Sequence, residues 1–122
     1  MLWDRKKGRT DDYEVGNFGV SGRTMMKSGD HPYWDEDAYQ QALAFEPDIV
    51  LIMLGSNDSK RFQWDEEAYM ADYAEFIGTF KALDSNPDVY LLLPTPVYID
   101  GTYAMDQYIV NERFPEIYPI IA

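Results

Sequence analysis

The hydrophobic positions of this chain change their spacing along its length, and each change predicts an element. Ile49-Val50-Leu51-Ile52-Met53-Leu54 is an apolar run without alternation, the pattern of a parallel strand buried on both faces. Val89-Tyr90-Leu91-Leu92-Leu93 repeats that pattern and is closed by Pro94-Thr95-Pro96. Between the two, residues 65–83 switch to helical spacing. Tyr69, Tyr73, Phe76, Ile77, Phe80 and Leu83 line one side, while Glu66, Glu67, Asp72 and Glu75 fall mostly outside it. Asp84-Ser85-Asn86-Pro87 breaks this helix. Upstream, Ala38, Tyr39, Ala42 and Leu43 share a face of a shorter helix over 35–45, with Asp35 as its cap and Pro47 as its stop. Tyr13-Glu14-Val15-Gly16-Asn17 is a weaker strand signal that gains meaning from the glycine-rich turn after it. From about Asp106 the chain reads as helix again, interrupted by Pro115 and Pro119, and it reaches Ala122 without a capping glycine, as though cut within a helix. Residues 1–12 hold no apolar run and are read as lying outside any strand.

Strand, helix, strand, helix, strand, helix predicts an α/β domain with a parallel, flavodoxin-like sheet and helices on both faces, a three-layer arrangement. Sites in such folds lie beyond the C-terminal ends of the strands. The loops at that edge, 18–30, 55–64 and 94–104, are rich in glycine, proline and polar residues. No internal repeat, linker or low-complexity segment divides residues 1–122.

Composition narrows the partners. Hydrophobic residues at 46% and aromatic ones at 16% are ample for a packed core in one domain of 122 residues. The net charge is −12, although Arg5, Lys6, Lys7 and Arg9 face Asp4 alone at the start. An acidic surface of this kind repels phosphate backbones and anionic lipid, which argues against a nucleic-acid partner. Cysteine is absent, so disulfides and thiolate catalysis are excluded. No segment is long and apolar enough to span a membrane, and no signal peptide begins the chain. No D-x-D-x-D-G loop or other metal-ligand pattern appears, and Asp35-Glu36-Asp37 reads as a charged helix start, so neither metal nor cofactor is expected.

Two short segments carry the candidate chemistry: Asn17-Phe18-Gly19-Val20-Ser21-Gly22-Arg23-Thr24 and Leu54-Gly55-Ser56-Asn57-Asp58. Gly19 and Gly22 suit a tight turn after a strand, since glycine tolerates positive φ. Neither the dinucleotide fingerprint nor the phosphate-loop pattern is matched. Gly19-Val20-Ser21-Gly22-Arg23 misses the nucleophile elbow G-x-S-x-G at its last position, so Ser21 is a poor nucleophile candidate. Ser56 has no base beside it in sequence, and the single histidine, His31, reads as a polar loop residue. In the second segment the Asn57 amide can donate to a developing oxyanion, which a carboxylate cannot, and Asp58 can brace the loop by accepting backbone N–H bonds. An Asn-Asp pair that merely caps the next turn is the plainer reading.

The order N-x-G-x-S-G, amphipathic helix, Pro-Asp, aliphatic strand and G-x-N-D resembles the SGNH (GDSL-type) ester hydrolases along residues 13–98. Within them it is similar to bacterial carbohydrate-directed and sialate-type acetylesterases, which also carry an aromatic stretch such as Tyr33-Trp34 after the second block. The resemblance implies a serine ester hydrolase acting on an acylated carbohydrate or small ester, with an oxyanion hole made partly by Gly22 and Asn57. Asn17, Gly19, Gly55 and Asp58 would support it, and Tyr33, Trp34 and Tyr98, with Tyr90, Tyr103 and Trp64 as further candidates, would offer an aromatic wall for a sugar ring. The family's Gly-Asp-Ser block with the nucleophile and its Asp-x-x-His block have no counterpart among these residues. The chain therefore reads as an incomplete domain, silent when made alone, from a protein that is secreted or periplasmic if a leader precedes it. In the family's strand order the first strand lies between those at 13–17 and 49–54, so these two should not pair directly. A non-catalytic module binding a glycan or small acid at the same edge is the rival reading.

Overall fold

The computed structural model describes the backbone of residues 2–6 and all of residues 13–97 and 105–122. Four strands, β1 (Leu2–Lys6), β2 (Tyr13–Asn17), β3 (Ile49–Ile52) and β4 (Asp88–Leu91), form one sheet in the order β2-β1-β3-β4. β1 is antiparallel to both neighbours, with Leu2 opposite Asn17 on one side and Leu51 on the other, while β3 and β4 pair in parallel. The strands at 13–17 and 49–54 are thus separated, as expected, but the slot between them is filled by residues expected to form no strand. The reason is that a ladder is made by backbone groups. Two flanking strands offer their N–H and C=O groups to whatever backbone lies between them, whether or not it carries an apolar run. The sheet is consequently mixed rather than wholly parallel.

Its register divides the sheet into two unlike faces. Val50, Ile52, Val89 and Leu91 share one face, and Val50 and Ile52 are fully buried there. Tyr13, Val15 and Tyr90 fall on the other and are 49%, 60% and 54% exposed. Helices were expected on both faces; on this second face Ile49 and Leu51 of β3 are half-buried beside those exposed residues.

Helix α1 (Asp37–Ala44) begins later than the sequence pattern suggests. Tyr33–Asp35 forms a single 3-10 turn, and Glu36, not Asp35, occupies the cap position without a side-chain capping bond. The Glu36 carboxylate is engaged instead by the Arg23 guanidinium, in a pair between Nε and Oε1. Helix α2 (Glu66–Lys81) has the expected start, because the Asp65 carboxylate accepts from Ala68 N at 3.2 Å. Its apolar side buries Tyr69, Tyr73, Phe76 and Phe80 completely. A π-helical turn, Ile109–Arg113, leads into α3 (Phe114–Ile121), which runs through both prolines rather than stopping at them. Pro115 follows the π-helical turn directly, with helical backbone on both sides of it. Beyond it, burial of Phe114, Ile117 and Tyr118 outweighs the bond lost at Pro119. Arg113 clamps Glu66 with two bonds of 2.8 and 3.0 Å, tying α3 to α2.

The core is unusually aromatic. Tyr69 stacks on Phe114 at 5.4 Å between ring centres, Trp64 lies 5.0 Å from Tyr69, and Tyr39 stacks on Phe76 at 5.2 Å. Rings in offset and edge-on contact add stabilisation beyond their buried area. This core lies directly under the two loops that carry the candidate site.

Candidate active site

β2 and β3 run in the same direction, each being antiparallel to β1, so their C-terminal ends deliver residues 18–32 and 55–64 to one edge of the sheet. The first loop is a closed structure. Asn17 Oδ1 accepts from Gly19 N at 3.0 Å and shapes the exit from the strand. Thr24 then pairs with the far side of the loop, its N–H donating to His31 O at 2.9 Å and its carbonyl accepting from Tyr33 N at 2.9 Å. The Tyr33 hydroxyl donates to Phe18 O at 2.6 Å, and the Trp34 indole donates to Met25 O at 2.7 Å.

The second loop leaves β3 over the tyrosines. Gly55 has φ +153°, and a Cβ placed there would lie 2.6 Å from the Tyr69 hydroxyl and 3.0 Å from that of Tyr118. Both hydroxyls lie within hydrogen-bond distance of Leu54 O, at 2.8 and 3.0 Å, and of each other at 2.7 Å. Glycine is needed here for close approach as well as for φ. Beyond it, Ser59 N bonds Gly55 O at 3.1 Å, and Gln63 Nε2 bonds Asn57 O at 2.7 Å.

Gly22 and Asn57 line the same cavity, of about 520 Å³, together with Ser21, Lys60 and Met105. That volume falls within the range of small-ligand sites. Gly22 has φ +78°, which glycine adopts without strain, and its N–H has no hydrogen-bond partner among the described residues. Asn57 Nδ2 donates to Arg23 O at 3.2 Å. An amide nitrogen carries two protons, so this bond orients Asn57 and leaves one donor over. Asp58 is fully buried, and its two oxygens accept from Met25 N at 2.9 Å and Met26 N at 2.7 Å. Burial pushes its carboxyl up to about 7, although the Met25 and Met26 N–H bonds pull the other way.

The remaining candidates divide. Ser21 borders the cavity, whereas His31 is an exposed loop residue. Tyr33 is in the core, fully buried, because its hydroxyl finds a backbone acceptor inside; it is no part of an exposed aromatic wall. Trp34 is half-buried, with Lys27 Nζ 4.5 Å above its ring. Trp64 packs into the aromatic core, and Tyr98 and Tyr103 lie outside the described residues. Two cavity residues had no sequence signal, Lys60 and Met105. Lys60 is held by Asp30 at 3.1 Å. Burial works against ionisation of Asp30, but the bonds from Lys60 and Gln63 win and hold its carboxyl below the ordinary carboxylate value. Among the described residues no cluster of His, Asp and Glu is arranged to hold a metal ion, and no helix is long and apolar enough to cross a membrane.

The chain is 35% identical to an acetylxylan esterase of Xylanibacter ruminicola over 123 residues, covering 86% of this chain and 26% of that protein. It is 29% identical to an acetylxylan esterase / glucomannan deacetylase of Cellvibrio japonicus, covering 77% of this chain and 24% of that one. An acetylxylan esterase of Geobacillus stearothermophilus is 33% identical, with 77% of this chain and 45% of the relative covered. The chain thus spans from about a quarter to less than half the length of these relatives. No solved structure matches it. Residues 2–122 match the GDSL-like lipase/acylhydrolase family, and the chain belongs to that family.

Proposed function

We propose that the whole protein is a serine ester hydrolase that removes acetyl groups from carbohydrate, and that this chain supplies the electrophilic side of its active site. The observation that carries the reading is that Gly22 and Asn57 line one cavity, their two loops being joined by the Asn57-to-Arg23 bond between residues 34 apart in sequence. In the reaction a serine hydroxyl adds to the acyl carbonyl, whose oxygen takes up the negative charge. The Gly22 N–H and the free Asn57 amide proton donate to that oxygen, most strongly once it is charged, which is what lowers the barrier. The sugar hydroxyl leaves, and water then releases acetic acid from the acyl-serine. The nucleophile and its base are assigned to no residue of this chain.

Three relatives named as acetylxylan esterases support an acetylated polysaccharide as substrate. The test is Asn57→Ala in the whole protein. Loss of one oxyanion donor should lower kcat on an aryl acetate by about 10²–10³-fold. Unchanged turnover would remove the oxyanion reading. Residues 1–122 made alone should be silent on the same ester, since an oxyanion hole without a nucleophile has no intermediate to stabilise. Saturable binding of an acetylated xylo-oligosaccharide by the whole protein, with no acetate released, would establish the binding-module reading instead.

A further inference from the structure

The two donors of this site belong to different loops, so their separation is only as fixed as the loops are to each other. Side chains of one loop reach the backbone of the other at three places. Asn57 donates to Arg23 O at 3.2 Å, and Gln63 Oε1 accepts from Asp30 N at 2.8 Å on the exposed rim. The third is Asp58, whose two oxygens take the N–H groups of consecutive residues, Met25 and Met26, in the interior. Both methionine side chains are fully buried, so the segment that Asp58 grips cannot slide. Asp58 directly follows Asn57, and Met25 lies three residues after Gly22. A covalent bond on one side and a short, packed stretch on the other therefore connect the carboxylate to both donors.

We propose that Asp58 is the positioning residue of this site: its ionised carboxylate, by holding the Met25 and Met26 N–H groups, sets the separation of the Gly22 N–H from the Asn57 amide. The proposal rests on the oxyanion reading above and adds to it a dependence on one buried charge. Protonation puts a hydrogen on one carboxyl oxygen and makes it a weaker acceptor, so the grip on one of the two N–H groups loosens. The titratable groups around Asp58 do not share this behaviour. Tyr69 and Tyr73 of α2 and Tyr118 of α3 are all raised by burial and stay neutral, and Asp30, paired with Lys60, is lowered and stays ionised. Exposed His31 adjoins Asp30 and is the group to silence in a test.

The experiment uses the whole protein and 4-nitrophenyl acetate, with Asp58→Asn, Asn57→Ala and the double substitution. A misplacement of about 1 Å can cost on the order of 10²-fold, so Asp58→Asn should lower kcat by about 10–100-fold with KM nearly unchanged. Because Asp58 acts through the donors, adding Asp58→Asn to Asn57→Ala should cost much less than it does alone. If Asn57→Ala is harmful while Asp58→Asn is harmless or fully additive, the positioning role is wrong and the oxyanion reading stands. If Asn57→Ala itself is harmless, the oxyanion reading fails first. A second measurement covers the case in which Asp58→Asn does not fold. In a His31→Gln background, the Met25 and Met26 backbone amides and the Asn57 side-chain amide are followed by NMR against pH. All three should shift together at one midpoint; signals independent of pH would overturn the proposal.

Discussion

Adding one methyl group at Gly55 tests how the strand end beneath Asn57 is held. The new Cβ of Gly55→Ala would lie 2.6 Å from the Tyr69 hydroxyl, 3.0 Å from that of Tyr118 and 3.0 Å from Phe114 Cε2, at a backbone φ of +153°. The φ alone costs about 1–3 kcal/mol for a residue with a side chain. Relief of the contact requires the Tyr69 hydroxyl to retreat from Leu54 O, 2.8 Å away, yet its ring is stacked on Phe114 and covered by Trp64. Leaving a buried carbonyl or hydroxyl short of a partner adds about 1–3 kcal/mol. The expected loss is therefore about 2–6 kcal/mol in urea unfolding, the sum of those two ranges. Pairing the change with Tyr69→Phe removes the nearest clashing atom, so the double variant should lose less than the sum of the two singles. A midpoint for Gly55→Ala within about 0.5 kcal/mol of the parent, or full additivity in the double variant, would refute the packing argument.

Other outcomes follow from the same structure. The Asp58 carboxyl is raised from 3.8 in the unfolded chain to about 7 in the fold, so folding takes up a proton between those values and stability falls as pH rises through them. At about 1.4 kcal/mol per unit, the parent should lose on the order of 3 kcal/mol between pH 5 and pH 8 that Asp58→Asn does not lose; equal pH slopes of the urea midpoints would contradict this. Replacing Arg113 by methionine leaves Glu66 without its two-bond partner on a half-exposed helix surface and should lower the urea midpoint slightly, an effect that shrinks in high salt. An undiminished effect in 1 M salt would mean that packing of the arginine stem, rather than charge, links α3 to α2.

The parts of the fold that were legible in the sequence are those decided locally. Helix α2 was legible because Asp65 caps it and a tyrosine–phenylalanine stripe needs a core. β3 and β4 were legible from short apolar runs between turn signals, although the strands end at Ile52 and Leu91, before the runs do. Strand β1 was not, since its place is set by the backbone groups of β2 and of the distant β3 rather than by its own residues. The start of α1 differs because Glu36 is bound by Arg23, 13 residues earlier in the same connection. Tyr33 went inside for a similar reason, its hydroxyl being satisfied by Phe18 O. Gly22 and Asn57 could be singled out because their residue types are unusual needs of a turn and of an anion. Lys60 and Met105 could not, because only the meeting of distant loops brings them to the cavity.

Asn57 and Asp58 show why a short polar motif after a buried strand has more than one task. A neutral amide at the cavity can donate to a growing negative charge, whereas a carboxylate there would repel it. One residue later the requirement reverses. The backbone of Met25 and Met26 presents two N–H donors to the interior, and only an acceptor with two open oxygens answers both. Meeting that need with a carboxylate is costly, as the rise of Asp58 to about 7 records, because the charge lies out of water. An asparagine at 58 would avoid the desolvation but would set its NH2 group against one of the two N–H donors. The pair therefore trades stability above neutral pH for a fixed distance between loops, and that exchange explains why exchanging the two residues should abolish the site even though composition and charge stay the same.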